Sequence, residues 1–200
     1  MYRLAILISG AGSNMRALVA AQRRGQIQAD IALILADRPA AGLQVAEDFG
    51  LVNQCIAAHT APSREAHDEA MMQTLRQHAI DYVILAGYMR ILSPAFVTAW
   101  QGRMLNIHPS LLPRHKGLHT HRRVLEARDP EHGSSVHFVT PELDGGPPVL
   151  QARFRVSRDD DEHRLRERVQ RCEHVIYPEA VSWLTSGRLS WREDRAWLDA

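Results

Sequence analysis

Short apolar runs alternate with longer amphipathic stretches through the first half of this sequence. The apolar runs are residues 4–8, 31–36, 54–58, 82–86 and 104–108. Apolar residues recur at helical spacing in residues 14–24, 42–49 and 63–78. Runs that are apolar almost throughout are typical of strands buried on both faces, as in parallel sheets flanked by helices. The pattern therefore predicts an α/β fold with a doubly wound, mostly parallel twisted sheet and helices on both faces.

The order of predicted elements changes after Gly133. Residues 134–139 and 149–156 have the composition of strands and are separated by the turn-rich segment PELDGGPP. We expect these two strands to pair antiparallel and to extend one edge of the sheet. A charged helix is predicted for residues 161–184, with Pro178 either kinking or splitting it.

The chain has 200 residues, with 24 Lys and Arg against 23 Asp and Glu. This length fits one domain over residues 1–200. The balanced charge offers no basic field for nucleic acid, although binding of a small anionic ligand stays possible.

The sequence also lacks the run of roughly 18 apolar residues that a membrane span needs, and its start leads directly into a strand rather than a signal peptide. Cys55 and Cys172 lack metal spacing, so we expect a cytoplasmic protein in which both thiols are buried as small apolar groups.

The loop ISGAGSN follows the first predicted strand and opens a helix. Because backbone N–H groups at a helix N-terminus face an anion, we interpret Gly12, Ser13 and Asn14 as a cradle for one phosphate. The dinucleotide fingerprint fails because its third glycine would fall at Met15, and no GK[ST] follows as Walker A requires. Two alternatives stay open: a tight turn that only packs, and a nicotinamide site in which Asp37 binds a ribose.

The stretch NIHPSLLP begins with two polar residues, Asn106 and His108. Because side chains alternate along a strand, both point to one face while Leu105 and Ile107 point to the other. Pro109 favours extended geometry at His108, which places the pair at the carboxyl end of a strand, where open α/β sheets bind ligands. An amide beside an imidazole is a poor zinc site but a good donor pair for an oxyanion, so acyl or formyl transfer suits it. A polar pair that only seals the strand end is the alternative.

A histidine near its reference pKa of about 6.5 is mostly neutral at physiological pH and is then a poor proton donor. Asp144, within PELDGGPP, can supply a carboxylate that keeps His108 protonated, and the glycines after it let backbone come close. An Asp-Gly turn with no catalytic role is the alternative reading of the same residue.

Taken together, NIHPSLLP, the GLHTH that follows it, and the later LDGGP resemble the folate-dependent formyltransferases. The likeness extends from ILISGAGSN near the start of the chain to AWLD near its end. The resemblance implies a Rossmann-like domain that transfers the formyl group of 10-formyltetrahydrofolate, a co-substrate, to the amine of glycinamide ribonucleotide in de novo purine (IMP) biosynthesis. We expect small-molecule substrates as its partners, no nucleic acid or membrane, and a monomer or weak homodimer.

The resemblance assigns three groups of residues at matching positions. The catalytic group is Asn106, His108 and Asp144. The nucleotide-binding group is Gly12, Ser13, Asn14, Gln170 and Glu173, with Glu173 at the ribose. The folate-binding group is Arg64, Met89, Arg90, Ile91, Leu92, Asn106, Thr140, Pro141, Glu142, Leu143 and Asp144. Of these, Arg64 and Arg90 would meet the carboxylates of the folate tail, and solvated surface charges are the alternative for both.

The chain departs from the family pattern at His115 and Lys116, where an aromatic residue is more usual, and at Pro148, where an aliphatic residue is usual. Other histidines lie nearby, but His119 and His121 are two apart and do not share a helix face. No Cys or carboxylate completes a ligand set with them. We therefore expect no metal site and assign these two histidines to helix capping and packing.

Rival functions share parts of the pattern. A formyltetrahydrofolate hydrolase or a methionyl-tRNA formyltransferase would share the Asn, His and Asp set, but these relatives carry a further regulatory or RNA-binding domain, for which we expect no room here. A non-enzymatic nucleotide-binding module would not explain why all three catalytic positions are filled. The sequence therefore favours formyl transfer.

Overall fold

A computed structural model of the chain describes residues 1–199. Its strands are β1 (Arg3–Ile8), β2 (Asp30–Ala36), β3 (Asn53–Cys55), β4 (Tyr82–Leu85), β5 (Met104–His108), β6 (Glu131–Phe138), β7 (Pro148–Arg155), β8 (Leu189–Arg192) and β9 (Arg195–Leu198). Its helices are α1 (Ser13–Arg23), α2 (Ala41–Asp48), α3 (Arg64–Gln77), α4 (Pro94–Ala99), α5 (Thr120–Ala127) and α6 (Glu162–Thr185), with a 3₁₀ turn at Ala58–Thr60.

The first seven strands form one sheet in the order β3-β2-β1-β4-β5-β6-β7. Strands β1 to β5 pair with one another in parallel. Strand β6 pairs antiparallel with β5, and β7 pairs antiparallel with β6. The predicted fold class, a mostly parallel sheet with an antiparallel edge extension, is confirmed. Strand β5 is therefore the boundary at which the pairing changes from parallel to antiparallel.

Helices cover both faces of the sheet because each central strand is apolar on both sides. Along β1, Leu4, Ile6 and Ile8 enter the layer shared with α1 and α6, whereas Ala5 and Leu7 enter the layer shared with α3 and α4. All five of these side chains are buried. Burying one leucine or isoleucine contributes roughly 1.5–3 kcal/mol, so β1 is held from both faces and its carboxyl end is a rigid platform.

Several predicted elements differ in extent from the observed ones. Strand β3 has only three residues instead of the predicted five, because it lies at the sheet edge, and helix α6 continues through the buried Pro178 without being split. The short helix α4 and the β8–β9 hairpin were not predicted from the sequence. Burial of both cysteines was also a wrong expectation: Cys55 is exposed at the edge strand and Cys172 is half-buried on α6.

Within residues 1–199, every helix is too short or too polar to cross a lipid bilayer. This agrees with the charged and polar residues spread along α6, the longest helix.

Candidate active site

Two neighbouring depressions open where β4 and β5 end, and they meet at Asn106 and Asp144. The large cavity, of about 510 Å³, is lined by Gly87, Tyr88, Met89, Arg90, Ile91, Asn106, Ile107, His108, Pro109, Gly117, Leu118, His119, Thr120, His121, Leu143, Asp144, Glu162 and Arg166. The slot, of about 100 Å³, is lined by Leu85, Tyr88, Arg90, Ile91, Leu92, Val97, Asn106, His137, Val139, Thr140, Pro141, Glu142, Leu143 and Asp144. Parallel strands place their carboxyl ends at one edge, which is why these loops converge.

Asn106 is fixed by a histidine on the neighbouring strand. Strand β6 pairs with β5 so that His137 lies opposite Asn106, and the Asn106 Nδ2 atom is 3.1 Å from His137 Nε2. The other ring nitrogen, Nδ1, donates to the Phe138 carbonyl at 2.8 Å. Burial lowers the pKa of His137 to about 4, so its ring is neutral and Nε2 accepts the Asn106 N–H. The second Asn106 N–H remains to meet a ligand.

His137 was not among the residues identified from the sequence. It lies in the predicted strand 134–139, but its relation to Asn106 depends on the antiparallel register of β5 and β6. The sequence held one signal for His137: it is a histidine within an otherwise apolar part of a strand, two residues after Ser135. A buried imidazole needs a specific hydrogen-bond partner, so a histidine in that place indicates a defined contact.

His108 lies between two oxygen acceptors. Its Nδ1 is 3.4 Å from the Asp144 Oδ2 atom, and its Nε2 is 3.0 Å from the His115 carbonyl oxygen. The Nε2–H donates to the His115 carbonyl, and the Asp144 carboxylate places a negative charge beside Nδ1. The Asp144 carboxylate also accepts the Gly117 N–H at 2.8 Å, which orients it toward the histidine.

Asp144 can form an Asp-Gly turn and also place its carboxylate beside His108. Its φ of 48° lies in the left-handed region, as an Asp-Gly turn requires, and its side chain is buried beside His108. The turn is close-packed, because a Cβ on Gly146 would lie 1.9 Å from the Phe138 carbonyl oxygen. A tight glycine-containing turn is therefore what delivers the carboxylate to the site.

The loop between β5 and α5 is held in place at two of the three positions where the chain departs from the family pattern, His115 and Lys116. The His115 Nε2 atom is 2.6 Å from Asp129 Oδ2, and Arg114 contacts the other oxygen of that carboxylate at 2.6 Å. Lys116 pairs with Glu142 at 2.7 Å. Since the His115 carbonyl accepts from His108, Asp129 helps hold the histidine through this loop. Pro148 begins β7, and nothing in the structure gives it a role at the site.

At the start of α1, the candidate phosphate loop contacts the middle of α6. The Asn14 Nδ2 donates to Glu173 Oε2 at 2.8 Å, and Gln170 Nε2 donates to Ser13 Oγ at 2.9 Å. Burial raises the pKa of Glu173 to about 7, against the opposing effect of the Asn14 hydrogen bond. Near neutral pH this carboxyl group can therefore donate to or accept from a sugar hydroxyl. The structure thus brings four of the five predicted nucleotide-binding residues into direct contact.

The fifth residue, Gly12, has a backbone that only glycine adopts easily. It is the N-cap of α1 with φ of 75°, and an added Cβ would lie 3.0 Å from the Met15 Cε and 3.2 Å from the Gly42 Cα. The N–H of Gly42, at the start of α2, donates to the Gly10 carbonyl at 3.0 Å. Two helix N-termini therefore approach the same loop, which concentrates N–H dipoles there.

Most of the predicted folate residues form the walls of the slot. Arg90, Ile91 and Leu92 line one side, and the segment from Thr140 to Asp144 lines the other. Apolar side chains, including Leu85, Val97 and Val139, form the rest of its wall, which suits a flat aromatic ring with polar edges.

Two predicted folate residues lie elsewhere. Met89 lines the large cavity instead of the slot. Arg64 lines neither depression; it begins α3 and pairs with Glu65 at 3.3 Å. Its role in folate binding was inferred from the resemblance, and its present partner is a neighbour in sequence.

Asp37 does not present its carboxylate to the site. The residue is 2% exposed, and its oxygens accept from Arg38 at 2.8 to 3.3 Å. Burial raises the pKa of this carboxyl group, but the hydrogen bonds from Arg38 and Ser9 outweigh that effect and lower it overall. A carboxylate enclosed in this way is not placed to bind a ribose, which argues against the nicotinamide alternative.

Among residues 1–199, no three His, Cys, Asp or Glu side chains are grouped as a metal site would need. His119 occupies the N-cap of α5 without a side-chain capping bond, and His121 Nδ1 lies 2.9 Å from the buried His132 Nε2. His121 therefore packs against His132 and also lines the large cavity, whereas His119 occupies the cap position of the helix.

Several known proteins resemble this chain over nearly its whole length. The model of a family described as formyl transferase matches residues 2–181. The phosphoribosylglycinamide formyltransferase of Escherichia coli K12 is 48% identical over 98% of this chain and 93% of its own length. The protein of the same name from Haemophilus influenzae is 39% identical over 100% of this chain and 94% of its own. The crystal structure of glycinamide ribonucleotide transformylase 1 from Symbiobacterium toebii has a TM-score of 0.97 at 40% identity, covering 100% of this chain and 95% of that one.

Proposed function

The chain belongs to the formyl transferase family, and we propose that it transfers the formyl group of 10-formyltetrahydrofolate to the amine of glycinamide ribonucleotide, a step of purine biosynthesis. The observation that carries the proposal is that Asn106 and Asp144 line both the slot and the large cavity, with His108 beside them in the wall of the cavity. A donor in the slot and an acceptor in the cavity would meet at these three side chains. Relatives that are 48% and 39% identical over nearly the whole chain carry the name of this activity.

In the proposed reaction, the nucleotide amine attacks the formyl carbon, and negative charge develops on the formyl oxygen. The intermediate then collapses by breaking the bond between the formyl carbon and the folate N10, which leaves with the proton that the attacking amine gives up. Asn106 stabilises that charge by donating its second N–H, since the first is held by His137. The imidazolium of His108 adds positive charge, and Asp144 keeps it protonated. Direct donation from Nε2 requires the ring to turn away from the His115 carbonyl, whereas charge stabilisation does not.

For the nucleotide, we propose that Gly12, Ser13 and Asn14 hold the phosphate, with Gln170 beside Ser13 and Glu173 at the ribose. The supporting observations are the free N–H groups at the start of α1 and the contacts of this loop with α6. A monoanion or dianion bound there needs no lysine, because several N–H dipoles point at it.

For the folate, we propose that the ring lies in the slot, between Arg90, Ile91 and Leu92 on one side and residues 140–144 on the other. The apolar wall and the polar backbone of these loops support this placement. Met89 would contact the substrates from the large cavity, and Arg64 and Arg90 would meet the tail carboxylates, which requires Arg64 to leave Glu65.

We further propose that residues 1–200 act as one formyltransferase domain, as a monomer or weak homodimer in the cytoplasm, without nucleic acid or membrane. No metal is expected to take part, because an amide and an imidazolium supply the oxyanion donors. Dialysis against EDTA should therefore leave turnover unchanged, and activity that is lost and then restored by zinc would contradict this mechanism.

The decisive experiment mixes the protein with 10-formylfolate and glycinamide ribonucleotide and follows folate absorbance. We expect release of the deformylated folate only when the nucleotide is present, together with formylated nucleotide as product. Folate release that does not depend on the nucleotide would indicate a hydrolase instead. Nucleotide binding without any folate release would indicate a binding module.

A further inference from the structure

One short segment separates the two depressions of the site. We call residues 88–92 the partition segment, because Tyr88, Arg90 and Ile91 line both the slot and the large cavity. Its middle is exposed, with Met89 63% and Ile91 59% accessible, so neighbouring packing does little to fix it. The position of this segment sets how far apart ligands in the two depressions lie.

The first end of the partition segment is tied to the phosphate loop by a side chain. The hydroxyl of Ser9, directly after β1, accepts the Met89 N–H at 2.8 Å. The Ser9 N–H donates to the Gly87 carbonyl at 3.1 Å, so the two chain segments are joined by a pair of hydrogen bonds. A serine hydroxyl has two lone pairs, so Ser9 can accept the Met89 N–H whatever its own proton does.

The second end is tied to α3. The Asp68 Oδ2 accepts the Ser93 N–H at 2.5 Å, and Asp68 is 3% exposed. The Ser93 hydroxyl in turn accepts the Phe96 N–H at the start of α4. The exposed middle of the segment therefore lies between two side-chain hydrogen bonds, one to Ser9 and one to Asp68. Of these two residues, only Ser9 belongs to the loop that leads to Gly12.

These contacts place one hydroxyl between the parts of the protein that hold the two substrates. Resting on the proposed function, we propose that Ser9 is a positioning residue: its hydrogen bond to the Met89 amide links the phosphate loop to the partition segment and sets the separation of the reacting amine and formyl carbon. Ser9 touches neither reacting atom. Because displacements near 1 Å cost about 10²-fold in rate, a link of this kind affects turnover more than binding.

Ser9→Ala removes the acceptor of the Met89 N–H. We expect kcat to fall roughly tenfold while KM for each substrate changes by less than about threefold, in line with the cost of one unsatisfied amide. Hydrogen exchange at the Met89 amide should accelerate in the same variant. Ser9→Thr keeps the hydroxyl and should restore most of kcat, which a loss of general stability would not predict.

Ser182→Ala is the matched control. It removes a serine hydroxyl that donates to the Gln26 carbonyl at 2.7 Å, and neither Ser182 nor Gln26 lines either depression. It should leave kcat unchanged. If Ser9→Ala does not fold, Ser9→Cys replaces the hydroxyl by a thiol, a weak acceptor, and should lower kcat with both KM values retained; full kcat in that variant would overturn the inference.

The outcomes separate this inference from the proposed function. If the wild type transfers no formyl group, the proposed function fails and the inference fails with it. If the wild type is active and Ser9→Ala keeps full kcat, or loses it no more than Ser182→Ala does, Ser9 has no positioning role. A rise in both KM values with kcat unchanged would likewise overturn the inference.

Discussion

At the proposed nucleotide end of the site the protein offers mainly backbone, whereas at the proposed catalytic end it offers side chains held in hydrogen bonds and ion pairs. The phosphate loop lies between two helix N-termini in the parallel half of the sheet, with Gly12 in a left-handed conformation. Asn106, His108 and Asp144 lie at the junction with the antiparallel half, and each has a named hydrogen-bonding or ionic partner. The first end depends on shape, and the second depends on protonation and orientation.

The contrast predicts different responses to substitution. A backbone phosphate site loses affinity when a side chain intrudes, and its amide N–H groups do not titrate, so the pH dependence of the nucleotide end should come from Glu173, whose pKa is about 7. A site of paired imidazole and carboxylate loses turnover when one charge is removed, although its shape persists. Four experiments test this contrast.

The largest effect is expected at Asp144. Asp144→Asn keeps an oxygen for the Gly117 N–H but removes the charge 3.4 Å from His108. Both substrates should still bind while kcat falls by roughly 10²–10⁴, the range of a lost acid–base contribution. Turnover close to that of the wild type would reduce Asp144 to a turn residue.

The next effect is expected at Gly12. Gly12→Val forces a Cβ to within 3.0 Å of Met15 and 3.2 Å of Gly42 in a left-handed backbone. Nucleotide affinity measured by calorimetry should fall by about 10-fold or more, with folate affinity nearly unchanged. Gly25→Val is the control, because Gly25 has φ of 78° but open space around it. Equal loss of both ligands in Gly12→Val would contradict the assignment of this loop.

A smaller loss of turnover is expected at His137. His137→Phe keeps a planar ring but removes the acceptor that orients Asn106, so kcat should fall by roughly 10-fold. His132→Phe is the matched control: His132 lies on the same strand, is equally buried, and contacts His121 rather than Asn106. Steady-state kinetics of the two variants should differ clearly. Similar losses in both would mean that burial, not the contact with Asn106, matters.

The smallest effect concerns stability against acid. Burial lowers the pKa of His132 from 6.5 to about 4, so between these pH values the unfolded chain binds a proton that the folded chain does not. The contribution of the neutral His132 to the free energy of unfolding is therefore intact above pH 6.5 and is lost as the pH falls through about 4. In urea titrations from pH 7 to 4, His132→Phe should lose less stability than the wild type. A parallel decline in both proteins would show that the ring is not buried in its neutral form.

The sequence predicted the parallel half of the fold because strands buried on both faces are apolar almost throughout. Helix α4, six residues long, and the exposed β8–β9 hairpin lack such a signal. At the site, Asn106 and His108 could be identified because strand alternation and Pro109 place them locally. His137 and Asp129 could not, since their contacts join residues 31 and 14 positions apart through a strand register and a folded loop.

The contacts between α1 and α6 also bear on how the protein is made. Ser13 meets Gln170 across 157 positions of sequence, and Asn14 meets Glu173 across 159. During synthesis, β5, which carries Asn106 and His108, and the β6–β7 turn, which carries Asp144, emerge from the ribosome before α6 does. A nascent chain stalled before α6 therefore contains all three proposed catalytic residues but lacks the α6 residues of the proposed nucleotide site. The affinity for the nucleotide, measured on stalled chains of increasing length, would show the chain length at which α6 has docked and folding is complete.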